Sequence, residues 1–458
     1  MQQGLRFRSR MPPVPRVWPI HPLEVWLVLG ANVAVITGMW LVHGGLRQIG
    51  TIGGLFTAAG QITALYGTLL ALVGIVLMAR SPWLDQIFGL GGLVRWHRWV
   101  GFATLWLLVA HGVFTTVGFA IESGSSILDE ISALLFTYPW VLMATVALGL
   151  MVAVGVASVK AARKKLSYET WFGIHLYAYL AVALAFLHEL VVGTDFVGDQ
   201  IAIAYWIGLY VAVVALVVVF RIGQPILLSW RHDLRVADVR QESQDTVSIY
   251  ITGYDLDRLA ARAGQFFYWR FLSGGGWWRA HPFSLSAAPN GKYLRITVKQ
   301  SGDDTRWIQR ITPGTRVFAE GPYGAFTSLR LRYARVLLIA GGIGITPLRA
   351  LLEEFRGFPG AVTLLYRAST WEDVVFRDEI DSLAQSSGRE VHYLVGKRGP
   401  GAKQGPVLDA RAIRRLVPDI RVRDVFLCGP DPMMHAVRRA LHTLDVSDKQ
   451  IHVEQFAN

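Results

Sequence analysis

The sequence predicts a multi-domain fold: a six-helix transmembrane bundle, then an antiparallel β-barrel, then a doubly wound α/β domain. Three observations predict it. Hydrophobic residues make up 52% of the 458 and charged residues 17%, and the charges gather after about residue 220. Six windows before that point lack Asp, Glu, Lys and Arg. Beyond Arg221 the pattern changes to short alternating runs, and then to a buried apolar strand that ends in a glycine turn. The chain is long enough for two or three domains. The expected divisions are a tail over 1–20, the membrane domain over 21–222, the barrel over 223–330 and the α/β domain over 331–458.

The six windows are 25–46, 60–79, 99–121, 131–159, 170–188 and 200–220. Each suits a bilayer span, which needs about 20 apolar residues. Arg6, Arg8, Arg10 and Arg16 precede the first window, Arg80, Arg95 and Arg98 fall between the second and third, and Lys160, Arg163, Lys164 and Lys165 follow the fourth. The opposite loops offer only Arg47, beside Glu122, Asp129, Glu130, Glu189, Asp195 and Asp199. Basic residues mark the cytoplasmic side, so the N-terminus and the soluble half are expected in the cytoplasm, with the chain multi-pass in the cell (inner) membrane. A cleaved signal peptide is disfavoured by the length of the first apolar run. A net charge of +12 could suggest a nucleic-acid partner, but the distribution of the basic residues about the spans argues otherwise, and none is expected. Cys428 is the one cysteine, which excludes an intrachain disulfide framework or a cysteine-ligated cluster.

Within this apolar half, His97 and His111 lie fourteen residues apart on span three, and His175 and His188 thirteen apart on span five. Ionisable groups at membrane depth are rare and usually functional. Fourteen residues rise about 21 Å and return within about 40° of one helix face; thirteen rise about 19.5 Å but miss by about 140°. His175 and His188 are therefore expected to share a face only if span five kinks or bulges, with Gly173 and bundle packing as candidate causes. Two helices each offering an upper and a lower imidazole can hold two stacked haems, with His97 and His175 as the inner pair and His111 and His188 as the outer. Bis-histidine ligation suits electron transfer. The competing reading is that these are packing or interfacial histidines; His21 and His43, which lack partners in the sequence pattern, are read that way.

In the soluble half, runs at 234–240, 246–252, 265–271, 293–299 and 315–319 read as strands of a small antiparallel barrel. Its most distinctive segment is Arg279-Ala280-His281-Pro282-Phe283-Ser284-Leu285-Ser286, where an aromatic, a basic group and small hydroxyls suit a flat ring with a phosphate tail. Phe283 as a plain core residue is the alternative. Gly321-Pro322-Tyr323-Gly324 follows, then an apolar strand over 336–340 and the turn Gly341-Gly342-Ile343-Gly344-Ile345-Thr346-Pro347. Such a turn brings backbone N–H groups and a helix N-terminus to a pyrophosphate. A second strand ends in Arg367 and a third in Cys428-Gly429-Pro430, and ligands of open α/β sheets gather at such strand ends. Cys428 reads either as an inert buried thiol or as a neighbour of a nicotinamide ring.

These motifs, with Trp96-His97-Arg98, Tyr168-Glu169 and the ending Glu454-Gln455-Phe456, resemble the NADPH oxidase and ferric reductase family. That family joins a ferric-reductase-like transmembrane haem domain to a ferredoxin-NADP reductase-like module, and the resemblance covers the chain from about residue 20 onward. It implies two b-type haems on His97, His111, His175 and His188. It implies FAD held by His281, Pro282, Phe283 and Ser284, with Val298, Lys299 and Thr305 near its phosphates. It further implies a nicotinamide nucleotide at Gly341, Gly342, Gly344, Thr346, Pro347, Cys428, Gly429 and Pro430, with Phe456 stacked on the flavin and Ser284, Cys428, Glu454 and Phe456 around the reacting atoms. Ala457 and Asn458 follow Phe456, where many relatives end on the aromatic. Arg367 beside Ser369, with Arg398 as a second candidate, favours NADPH over NADH through its 2′-phosphate.

The expected activity is a transmembrane relay from NADPH through FAD and haem to a small-molecule acceptor on the far side. Oxygen is preferred because it needs little binding surface, and a ferric chelate is the alternative. A non-enzymatic haem redox sensor is a second reading, opposed by the intact glycine turn, Cys428 and Phe456. A transporter is a third; it calls for broken helices and intramembrane carboxylates, which the sequence pattern does not offer.

Overall fold

In the computed structural model the described residues are 21–193, 198–355, 360–397 and 408–456, excluding the side chains of 160, 161, 168 and 275. The described residues divide into two compact units, one drawn from 21–84 and 92–221, the other from 85–91 and 222–456.

The first unit is helical: α1 (Pro22–Val42), α2 (Ile52–Met78), α3 (Pro82–Ser123), α4 (Ile127–Phe136), α5 (Val141–Ser158), the short α6 (Lys160–Arg163), α7 (Tyr168–Val192) and α8 (Gln200–Val217). Six helices among the described residues have the length and apolar composition to cross a membrane. Their outward side chains are large and apolar, as at Val156, Val211 and Val214, which is the surface lipid requires. Thr51, Ser126, Ser167 and Asp199 cap α2, α4, α7 and α8 by accepting backbone N–H bonds. α3 breaks at Gly89, whose φ of 67° lies in the left-handed region, so its first turns belong with the second unit.

Three expectations about this half are corrected. The apolar window 131–159 is two helices, because Trp140 at φ 65° ends the run between α4 and α5. Glu189 is not in a loop: α7 continues to Val192, and the carboxylate receives Thr68 Oγ1 and, at 3.1 Å, the Tyr210 hydroxyl. An intramembrane carboxylate is thus present, stabilised by two hydroxyl donors. His43 does have a partner, with Nε2 3.0 Å from Asp199 Oδ2.

The second unit contains two kinds of sheet. Strands β1 (Arg235–Ser243), β2 (Thr246–Thr252), β3 (Phe266–Phe271), β4 (His281–Ser284), β5 (Leu294–Lys299) and β6 (Val317–Tyr323) form two antiparallel sheets, ordered β1-β2-β5 and β4-β3-β6. They enclose a core that includes Ile249, Ile251, Phe267, Trp269, Leu285 and Ile296. In place of the closed barrel expected, the described residues show two sheets joined by the bridges Arg235 with Arg316 and Leu285 with Ile296. Register shifts in β1 and between β3 and β6 interrupt the ladders there. Helix α9 (Gln224–His232) packs on β6, and α10 (Asp303–Ile308) follows β5.

The remaining strands, β7 (Arg335–Gly341), β8 (Val362–Ala368), β9 (Glu390–Val395), β10 (Arg423–Cys428) and β11 (Ile451–Glu454), form one parallel sheet in the order β11-β10-β7-β8-β9. Helices α11 (Ile345–Glu354), α12 (Arg377–Ser387), α13 (Ala410–Leu416) and α14 (Asp431–Thr443) cover it. Alternation along β7 sends Leu338 and Ala340 to the core shared with α11 and α12, and Leu337 and Ile339 to the core shared with α13 and α14. The sheet is therefore doubly wound. Its strand order reverses between β7 and β10, where a ligand crevice forms in such folds.

Candidate functional site

In the helical unit, α3 and α7 bring the four histidines together in pairs. The His97 and His175 ring centres are 5.8 Å apart, and those of His111 and His188 are 6.5 Å apart. The expected kink is not needed: α7 is one unbroken helix from residue 168 to 192. An offset of about 140°, split evenly, leaves each imidazole about 70° to one side of the line that faces α3, within reach of a side chain of this length.

The second ring nitrogens are committed in three of the four. Nδ1 of His97 is 3.0 Å from the Gly74 carbonyl, and Nδ1 of His111 is 3.0 Å from the Gly60 carbonyl. A carbonyl only accepts, so both nitrogens carry the proton and Nε2 remains for a metal. His175 Nδ1 lies 3.5 Å from Ser158 Oγ, and its ring stacks on Trp171 at 5.1 Å. His188 Nδ1 is buried without a hydrogen-bond partner among the described residues.

This donor set suits haem. An imidazole nitrogen bonds a first-row metal at about 2 Å, so two rings sharing one ion have centres about 6 Å apart. The two pairs match that separation. Two imidazoles are too few to hold a bare ion, and no group of three or more His, Cys, Asp or Glu side chains forms among the described residues. A porphyrin supplies the four missing equatorial donors.

In the second unit, β4 sets His281-Pro282-Phe283-Ser284 against β3, with Phe283 opposite Phe267 and Ser284 opposite Phe266. The His281 and Phe283 rings lie nearly parallel, 17° apart, and Pro282 between them is exposed. Ser284 Oγ, His281 Nε2 and Arg279 Nε are buried and without partners in the described residues. Buried polar atoms are rarely left unpaired, so three of them in one segment fit a polar ligand such as a flavin and its phosphates. Burial pulls His281 below its ordinary pKa, so the ring is neutral. Arg279 Nη1 pairs with Asp304 Oδ1 at 2.5 Å.

The three residues assigned to the flavin phosphates have other engagements. Val298 is core, and its carbonyl receives Gln309 Nε2 at 3.0 Å. Lys299 Nζ pairs with Asp245 at 3.2 Å and Asp373 at 3.3 Å. The Thr305 hydroxyl accepts from the Ser301 and Gly302 N–H groups at the start of α10.

At the sheet's switch point the glycines do two different things. A Cβ on Gly344 would stand 2.4 Å from the Cys428 carbonyl oxygen, and one on Gly341 would stand 2.5 Å from Met433 Sδ. Gly429 would meet Gly341 Cα at 3.0 Å. These three are required by the contact of β7 with β10 and α14. Gly342, at φ 53°, faces open space, and so gives a phosphate an unobstructed backbone at the start of α11. Thr346 and Pro347 are buried, and the Thr346 hydroxyl donates to the Ile343 carbonyl at 3.0 Å.

Cys428 is fully buried at the end of β10, in register with Glu454 of β11. Burial pushes its thiol well above the usual range. The Glu454 carboxyl is raised to about 8 by burial and, secondarily, by Asp85. Asp85, from the first turns of α3, was not anticipated as a site neighbour; it accepts the Gly324 N–H at 2.5 Å. Phe456 is half-buried on the core of the parallel sheet, and Gln455 donates to Asp431 at 2.7 Å. Pro430 caps α14.

Arg367 is the next-to-last residue of β8, its guanidinium donating to the carbonyls of Leu394, at 3.0 Å, and Gly396; Ser369, just past the strand, is exposed. Arg398 lies outside the described residues. A further group escaped the sequence reading. Arg295 of β5, 2% exposed, pairs with Glu379 of α12 at 2.8 Å and donates to the Ser286 carbonyl at 2.7 Å, while Arg349 of α11 reaches Glu379 at 2.9 Å. This network ties the antiparallel sheets to the parallel one.

Three known families match successive parts of the chain. Residues 63–186 match a ferric reductase like transmembrane component, 231–327 an FAD-binding domain and 338–439 an oxidoreductase NAD-binding domain. Ferredoxin–NADP reductase B of Sorangium cellulosum is 32% identical over 203 residues, 40% of this chain and 80% of that protein. The ferredoxin reductase component of the Mycobacterium tuberculosis 3-ketosteroid-9-alpha-monooxygenase is 31% identical over 240 residues, and the chain spans 65% of it. Among solved structures, the flavohem-like FAD/NAD-binding domain of a Vibrio cholerae nitric oxide dioxygenase matches 49% of this chain and 99% of that one, with 23% identity and a TM-score of 0.42.

Proposed function

From a chain that belongs to the ferredoxin–NADP reductase family in its soluble half and carries a ferric reductase like transmembrane component ahead of it, we propose a transmembrane NADPH oxidase. The protein is a multi-pass membrane oxidoreductase with FAD- and NAD(P)-binding domains. In our reading it takes electrons from cytoplasmic NADPH and delivers them, through FAD and two b-type haems, to oxygen on the opposite side. The observation that carries this is the pair of imidazole pairs, 5.8 and 6.5 Å between ring centres, with Nδ1 of His97 and His111 already bonded to carbonyls.

His97 with His175, and His111 with His188, would hold one haem each. When bound, flavin supplies the conversion of a two-electron hydride into the single electrons that haem iron accepts. The chain's own residues do the rest. Ser284 Oγ, His281 Nε2 and Arg279 Nε meet the flavin's polar atoms. Gly342 leaves backbone N–H groups open to the nucleotide diphosphate. Phe456 would cover the flavin on the side that a nicotinamide must reach. Glu454, neutral at pH 7, holds a proton beside Cys428, which packs against the nicotinamide as an uncharged wall. Arg367 and Ser369, at the carboxyl end of β8, are read as the selectors of the 2′-phosphate. The eleven basic residues that flank the apolar windows on one side support a cytoplasmic soluble half. A ferric chelate is the alternative acceptor.

Superoxide formation under air, compared with ferric-chelate reduction under argon, tests the acceptor with NADPH and NADH as donors. Superoxide that accounts for most NADPH consumed supports the oxidase. Dominant anaerobic ferric reduction makes the protein a ferric reductase.

A further inference from the structure

Helix α2 carries Gly53, Gly60, Gly67 and Gly74 at intervals of seven residues, all buried. Seven residues make two turns to within about 20°, so the four form one stripe. The stripe faces α3. A Cβ on Gly53 would stand 2.6 Å from Glu122 Cγ, on Gly60 2.5 Å from Thr115 Oγ1 and 3.1 Å from Thr115 N, and on Gly67 2.8 Å from Leu108 Cδ2. On Gly74 it would meet Val100 Cγ1 at 3.7 Å and His97 Nδ1 at 3.8 Å. The backbones are therefore closest at the Gly53 end and open toward Gly74. Gly60 and Gly74 are fourteen residues apart, the same interval as His97 and His111. The antiparallel run of α2 and α3 sets Gly74 against His97 and Gly60 against His111, and each glycine carbonyl lies 3.0 Å from the Nδ1 opposite. The Gly60 carbonyl also receives the Thr63 hydroxyl at 2.9 Å, and His111 Nδ1 has Thr115 Oγ1 at 3.3 Å.

We propose that Gly60 and Gly74 are positioning residues for the two α3 histidines: their carbonyls receive the Nδ1–H of His111 and His97, fixing Nε2 as the metal-facing nitrogen and strengthening it as an electron donor. The proposal rests on the reading of these histidines as haem ligands. Outer-shell bonds of this kind fix the ligand tautomer and raise its basicity. A stronger imidazole donor favours ferric iron, so weakening either bond raises the midpoint potential of the haem on that histidine. At Gly60 the missing Cβ is essential, because the contact it would meet is partly backbone. At Gly74 a methyl fits, and only a branched side chain intrudes on His97.

The test is a potentiometric titration of the full-length protein in detergent, with low-spin ferric EPR on the same samples. The unmodified protein is read first; absence of two b-type components there removes the ligand reading and this proposal with it. Given two components, Gly60→Ala is expected to shift one potential upward with its EPR signal, and Gly74→Val to shift the other. Gly67→Ala disturbs the same helix contact against a leucine side chain and is expected to shift neither. Should Gly60→Ala yield no haem-loaded protein, the contrast of Gly74→Val with Gly67→Ala decides. The proposal is overturned if loaded variants keep both potentials in place, or if Gly67→Ala moves them as far as the other two do.

Discussion

Glu454 is the residue whose protonation the proposed flavin chemistry puts most directly to the test. Its carboxyl is raised from 4.5 to about 8 by burial and Asp85. The folded state thus holds a proton between those two values that the unfolded chain has lost. The site is fully stabilising below pH 4.5, and that contribution falls as pH rises toward 8, above which both states are ionised. NADPH-driven reduction of a soluble acceptor should decline as pH passes through about 8, and Glu454→Gln should flatten that decline. A wild-type profile with no inflection near pH 8 would remove the carboxyl from the reaction. Cys428 behaves differently: burial raises its thiol, and thiolate is the reactive form. Native protein should resist iodoacetamide at pH 8 until it is unfolded; fast labelling of the folded protein would contradict the packed-wall role.

At the scale of elements, the network of Arg295, Glu379 and Arg349 joins β5 to α12 and α11. Removing a charged hydrogen-bonding partner costs about 1.5–3 kcal/mol, so Arg295→Ala should lower the urea midpoint followed by flavin fluorescence, and Glu379→Gln should do so less. An unchanged midpoint would mean that the sheets are held by other contacts. Elements were legible in the sequence wherever a single periodicity dominated. The buried strand and glycine turn of β7 and the alternation of β2 are such cases. Trp140 was not legible as a break, because an apolar window has no way to show a positive φ inside it. Nor was α7 legible as straight: the 140° offset looked like a demand for a bulge, although imidazoles reach their partners from both flanks of a helix. The seven-residue glycine stripe was present in the sequence, but glycine carries no chemistry of its own and only the carbonyl contacts reveal it. Asp85 and Arg295 were illegible because their partners lie far away in sequence.

For the whole molecule, the account requires electrons to cross the bilayer in one direction. The loop charges predict which side the nucleotide meets. Inside-out vesicles should consume externally added NADPH and release superoxide into the lumen, while sealed right-side-out vesicles should do neither until permeabilised. Consumption by intact right-side-out vesicles would invert the proposed topology. The order of membrane bundle, antiparallel sheets and parallel sheet could be read from charge distribution and strand pattern alone. The proposed acceptor, oxygen, could not, since so small a molecule asks for no side-chain signature.

The most direct measurement is the reduced-minus-oxidised spectrum of the purified protein on adding NADPH under argon, for the unmodified chain and for His97→Ala and His188→Ala. Two b-type components reduced by NADPH, with one lost in each variant, are the predicted result. A spectrum without such bands, or two components that survive either substitution, would contradict the account.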